Sequence, residues 1–220
     1  MKDRIKGPRG VKAKPECFVV HTAEGCRTAE CIIDFVAPRG IGVPYAADGD
    51  KTLRMTPDGY LGDNHAGGLD TKASGVELAG FAGWTRRVWL GETEQWGKAP
   101  REMVRAAGRL AAYELGKHYR VTKRMLCKRL IGHAQDEQFG GSSDHWDPGL
   151  GFPYDVCVND ALEWAGAGAI RLKLSVAGDV ARAQVKKATA AVRETAERFG
   201  LVVSKPEKPK KLHPTSDPNA

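Results

Sequence analysis

A change of hydrophobic period at Pro100 constrains the fold more than any other feature of this sequence. Ahead of it, short apolar runs alternate with turn residues. Cys17 to His21 reads as a short buried strand, Thr28 to Val36 as a short helix stopped by Ala37-Pro38-Arg39-Gly40, and Gly75 to Ala79 as a further strand. Gly42 to Ala47 and Lys51 to Thr56 flank Asp48-Gly49-Asp50, the residue types of a hairpin turn. Pro100 itself suits a first helical position, and after it Met103, Val104, Ala107, Leu110, Ala111 and Leu115 recur at three-and-four spacing. They predict one buried helical stripe as far as Tyr119. Leu126 to Ile131 is a short apolar-rich run leading into Gly132-His133, and Phe152 to Trp164 reads as another helix after a glycine-rich loop. Strands and helices that each carry one apolar face must share a core, so the expected class is α/β, a mixed central β-sheet flanked by helices.

The 220 residues suffice for one well-buried core with extra segments, and 41% hydrophobic with 28% charged residues is ordinary for a globular chain. No apolar run approaches the roughly 20 residues of a bilayer-crossing helix, so stable membrane insertion is not expected. The expected organisation is a basic N-terminal extension over 1–15, a main domain over 16–165, a C-terminal helical extension over 166–203 and a disordered Lys/Pro-rich tail over 204–220. Ala177 to Phe199 has the composition of an amphipathic helix, with Val180, Ala188, Val192 and Phe199 as its contact points. Met1 to Pro15 lacks the apolar core of a secretory signal, and the expected location is cytoplasmic. Five cysteines without a CxxC pair argue for free thiols, with a local Cys26–Cys31 bridge only in an oxidising setting. Residues 101 to 130 hold nine Lys/Arg against Glu102 and Glu114 within a chain of net charge +7. Such a surface attracts polyanions, whether nucleic acid, anionic lipid or cell-wall polymer, although a solvated helix face accounts for it equally well.

Chemistry-bearing residues gather in three places: His21 at the end of the first strand, His133 after Gly132, and His145-Trp146-Asp147-Pro148-Gly149. A lone histidine at any of these is more often structural. Together they supply the nitrogen and small oxygen donors that zinc favours, and a catalytic zinc keeps three protein ligands and one open position. His145 and Asp147 are two apart, so in extended chain they project to the same side.

Phe18-Val19-Val20-His21-Thr22-Ala23, Asn64-His65-Ala66-Gly67-Gly68, Ser74-Gly75-Val76-Glu77-Leu78-Ala79-Gly80, Ile131-Gly132-His133 and Asp147-Pro148-Gly149-Leu150-Gly151-Phe152-Pro153-Tyr154-Asp155 follow one another in order. Over about residues 16 to 165 this succession resembles the zinc-dependent N-acetylmuramoyl-L-alanine amidases, a group that includes phage lysozyme-type amidases, wall-recycling amidases and peptidoglycan-recognition proteins. The resemblance implies Zn2+ held by His21, His133 and Asp147, and the amide joining N-acetylmuramic acid to L-alanine in peptidoglycan as substrate. It implies Glu77 as general base and acid, since the water must lose a proton and the leaving amine must gain one. His145 stands two before the Asp, where relatives often carry Lys, Arg or Thr, and is assigned to the developing oxyanion. His65 is assigned a substrate contact. Tyr45 departs from the position of a catalytic Tyr and is expected to line the cleft with Trp146. The expected role is that of a phage endolysin released by a holin, monomeric, with peptidoglycan as partner and no specific nucleic acid. A cytoplasmic recycling enzyme is the alternative. A binding-only recognition module is disfavoured because all three ligands are present, and a nucleic-acid-binding protein explains none of the five motifs.

Overall fold

A computed structural model describes residues 12–93, 100–142 and 144–168. The expected helix over 177–199 and the tail over 204–220 lie outside the described residues. Of the expected N-terminal extension, Lys12 bridges to Tyr60, Lys14 stands over the Tyr119 ring and Pro15 is buried.

Five strands form one mixed sheet: β1 (Cys17–Thr22), β2 (Tyr45–Ala47), β3 (Thr52–Arg54), β4 (Ala73–Leu78) and β5 (Leu130–Gly132), in the order β3-β2-β4-β1-β5. β1 is flanked by β4 and β5, both parallel to it, β2 runs parallel to β4, and only the β2–β3 hairpin is antiparallel. Every residue of β1 is buried, as a central parallel strand covered on both faces requires. The hairpin turn is organised by Asp48, whose buried carboxylate accepts from the amides of Asp50, Lys51 and Ala29. The last of these ties the turn to the start of α1 (Ala29–Val36), which Thr28 caps through its hydroxyl oxygen.

Alternation along the strands sorts their side chains onto two faces. Phe18, Val20, Val76, Leu78 and Leu130 join the larger core. There they meet α3 (Pro100–Gly116) through Met103, Val104, Ala107, Ala111 and Leu115, and α5 (Tyr154–Gly168) through Cys157, Val158 and Ala161. Trp89 of the short α2 (Arg86–Trp89) is fully buried there, with Trp84 and Phe152 set edge-on to its ring. The opposite face is smaller: Cys17, Val19, Ala73 and Ile131 are covered by Ala66 and Leu69 and by Phe139, the last residue of a 3-10 segment running from His133. That face decides where the site forms.

The expected α/β class with a mixed sheet between helices is the observed architecture. Leu126 to Ile131 is not a single run: α4 (Lys123–Arg129), capped by Thr122, gives way at Leu130 directly to β5. The long helix stops at Gly116 rather than Tyr119, and the strand expected from Gly75 begins at Ala73. The default of free thiols fails at Cys26 and Cys31, which form a disulfide. The turn into α1 brings their Cα atoms to 5.4 Å, well inside the range a disulfide spans. Cys17 and Cys157 are buried free thiols, and Cys127 is exposed. Among the described residues no helix is long and apolar enough to cross a membrane.

Candidate metal centre

Three parallel strands end at the same edge of the sheet, and each delivers a polar side chain to its smaller face. On β1 the row Cys17, Val19 continues to His21, on β4 Ala73, Gly75 continues to Glu77, and after β5 Ile131 leads to His133. His21 and Glu77 are register partners across the β1–β4 ladder. The carboxyl ends of strands in α/β sheets are where such folds bind ligands.

Asp147 reaches this edge from a loop. Its Oδ2 lies 3.4 Å from His21 Nδ1 and its Oδ1 3.3 Å from His133 Nδ1, while the two Nδ1 atoms face each other at 3.1 Å. All three residues are buried, and their ligand atoms lie within 4.8 Å of one another, so together they can hold a metal ion. The Thr22 amide donates to Asp147 Oδ2 at 3.2 Å and fixes the carboxylate. Burial by itself would raise the Asp147 pKa, but hydrogen bonds from His133 and His21 outweigh it and hold the carboxyl far below the usual range. Burial lowers the pKa of His21, with Asp147 opposing, so the imidazole is neutral, the form that binds metal.

Two glycines let the loop approach. A Cβ at Gly132 would come within 2.3 Å of the Tyr154 hydroxyl and 2.6 Å of Pro148, and the Asp147 carbonyl accepts from the Ala134 amide at 3.2 Å. Gly149 has φ +82°, and a Cβ there would lie 1.8 Å from the Ala82 carbonyl oxygen. Both the Gly-His and the Asp-Pro-Gly sequences are therefore steric requirements of a loop laid against β5 and residues 80–82.

Glu77 is partly covered as a residue, yet its Oε2 is buried without a hydrogen-bond partner among the described residues. Burial, then the negative charges of Asp147 and Glu24, push its pKa up to about 8. Glu24 had no signal in the sequence beyond lying just after the first strand. It adopts φ +43°, and its Oε1 accepts from the Thr22 hydroxyl and from the Ala82 amide, each at 2.7 Å. It thus joins the end of β1 to the segment against which Gly149 rests.

His145 stacks on His133 with ring centroids 4.2 Å apart, and its Nδ1 is 3.5 Å from Asp147 Oδ1. Its side chain is 60% exposed, on the solvent side of the cluster, and Trp146 beside it is 62% exposed. Two expected substrate contacts stand elsewhere. Tyr45 pairs with Val76, not with Glu77, so its side chain enters the α3 face, where the buried hydroxyl donates to Glu114. It does not line the cleft. His65 is only 5% exposed, closed in behind His21, and its burial does not fit a substrate contact. Trp84 is core.

No family model matches the chain, and no curated protein does. Among solved structures, hydrolase AmiA of Staphylococcus aureus superposes with a TM-score of 0.50 at 18% identity, covering 74% of this chain and 82% of that one. The N-acetylmuramoyl-L-alanine amidase LysC of Clostridium intestinale URNW aligns with a TM-score of 0.48 at 18% identity, over 69% of this chain and 87% of that one. The chain shares the fold of AmiA.

Proposed function

We propose that this chain is a zinc-dependent peptidoglycan amidase that cleaves the bond between N-acetylmuramic acid and the L-alanine of the stem peptide. One observation carries the reading: a buried two-imidazole, one-carboxylate set opens beside a second carboxyl, Glu77, whose Oε2 is buried without a hydrogen-bond partner among the described residues. The donor set fits zinc, with Asp147 ionised and His21 neutral. When bound, zinc supplies Lewis acidity, polarising an amide carbonyl and easing loss of a proton from water. In its ionised form Glu77 takes the proton of the attacking water and, then protonated, hands it to the departing amine, two roles that a pKa raised from the ordinary carboxylate range lets one group fill in turn. His145, at the exposed rim, donates a hydrogen bond to the oxygen on which charge develops. Trp146 and Leu150, both exposed on the loop that carries Asp147, offer apolar surface to a sugar ring or stem peptide.

The resemblance to phage lysozyme-type amidases and the basic stretch around α4 support a lytic role on intact wall, reached in a phage by holin-dependent release. Purified protein loaded with zinc is expected to release L-alanine amino termini from peptidoglycan without new reducing sugar ends. His133→Ala and Asp147→Ala should lose both zinc and activity, and retention of both by either variant refutes the site. Digestion of intact sacculi marks a lysin; activity confined to soluble muropeptides marks a recycling enzyme instead.

A further inference from the structure

His21 offers two ring nitrogens, and the two face different neighbours. Its Nδ1 is turned to His133 Nδ1 at 3.1 Å and Asp147 Oδ2 at 3.4 Å, whereas its Nε2 lies 3.1 Å from Nδ1 of His65. We propose that His65 is a positioning residue, whose Nδ1 accepts the Nε2 proton of His21 and so commits His21 Nδ1 to the metal. The proposal rests on the metal reading above.

Neutral imidazole carries one proton, and which nitrogen holds it is set by the hydrogen bond the other makes. With no acceptor behind it, His21 could hold its proton on Nδ1, pointing into the cluster and blocking coordination. Without metal that state lets Nδ1 donate to Asp147 Oδ2; an acceptor at Nε2 offers the proton the other position, the one compatible with a metal at Nδ1. His65 meets the requirement only as the Nε2–H tautomer, which leaves its own Nε2 buried without a hydrogen bond of normal geometry.

The surroundings hold this ring in place. A Cβ at Gly62 would fall 2.2 Å from His65 Cδ2, and one at Gly75 would fall 3.1 Å from Cε1, so glycines flank the ring on two sides. The His65 amide donates to Asp70 Oδ1 at 2.9 Å, and Asn64 before it takes φ +53°, turning the loop back over β4. Ring centroids of His21 and His65 are 5.3 Å apart at 76°, an edge-on approach consistent with a nitrogen-to-nitrogen hydrogen bond and not with stacking. Groups that hydrogen-bond to the far nitrogen of a metal-binding histidine typically govern metal affinity by roughly 10–100-fold.

Zinc affinity measured by competition with a chromophoric chelator tests the proposal without reference to turnover. His65→Leu should bind zinc roughly 10–100-fold more weakly, and His65→Asn, whose side-chain oxygen can stand near the former Nδ1, should recover most of the loss. Nitrogen-15 imidazole spectra of the zinc-loaded wild type need no variant: they should show His21 protonated at Nε2 with its Nδ1 shifted by the metal, and His65 protonated at Nε2. Unchanged affinity in His65→Leu, equal losses in the Leu and Asn variants, or His21 bound through Nε2 overturns the proposal. Wild-type protein that takes up no zinc strikes the metal reading itself, which separates the two failures.

Discussion

Replacing Glu77 with Gln removes a carboxyl whose ordinary value of 4.5 is pushed up to about 8 by burial and by the charges of Asp147 and Glu24. In metal-free protein this shift has a definite sign. The folded state keeps the Glu77 proton up to about pH 8, while the unfolded chain releases it near 4.5. Between those values folding retains one more proton than unfolding does, so stability falls as pH rises. The contribution is fully present below pH 4.5 and is lost once pH has passed about 8. At roughly 1.4 kcal/mol per pH unit the whole window corresponds to at most about 5 kcal/mol, and the partial exposure of the residue reduces the expected figure to about 2–3 kcal/mol. Glu77→Gln preserves size and has no charge to bury, so the variant should gain on the wild type by that amount across the window. Urea unfolding of both proteins with chelator present, at several pH values, gives the difference free of other titrating groups. A difference that does not change with pH would refute the view of Glu77 as a buried, proton-holding carboxyl.

Other substitutions test separate parts of the structure. Tyr45→Phe deletes the hydroxyl that donates to buried Glu114, and chemical denaturation should register a loss of about 1–3 kcal/mol. Its kcat/KM on peptidoglycan should stay at the wild-type value, and a rise in KM would return Tyr45 to the cleft. Gly149→Ala forces a Cβ against the Ala82 carbonyl and a side chain into φ +82°; a strain of roughly 1–3 kcal/mol should weaken zinc binding in titration, and an unaltered affinity would uncouple this loop from the metal. Trp89→Ala opens the core between Trp84 and Phe152 and should cost about 3–5 kcal/mol in unfolding experiments.

The residues that repeat locally were legible in the sequence. Five consecutive apolar or ligand-type residues from Cys17 to His21 identify a central strand, and the stripe from Met103 to Leu115 identifies the helix that covers it. The α4–β5 junction was not, because α4 spans seven residues of which only Leu126 is buried, too few to establish a period before β5 begins. The side of the sheet taken by Tyr45 was hidden for another reason: a one-residue change in register moves a side chain to the opposite face, and register is a property of the neighbouring strand. His65 lies in a loop without periodicity, and only the assembled sheet reveals that it stands behind His21. Residue types alone offer His21, His133, His145 and Asp147 as candidate ligands, and the choice of His21, His133 and Asp147 comes from the resemblance to the zinc amidases.

Parallel strands impose an order of events on this site. His21 and His133 are separated by 112 positions, yet they meet only when β1 and β5 lie side by side. Contacts of such long range form late, after the chain has met the entropy of closing the intervening segments. Metal uptake followed during refolding should therefore trail the appearance of helix, and its time course would report the docking of the last strand, making the ion a clock for completion of the sheet.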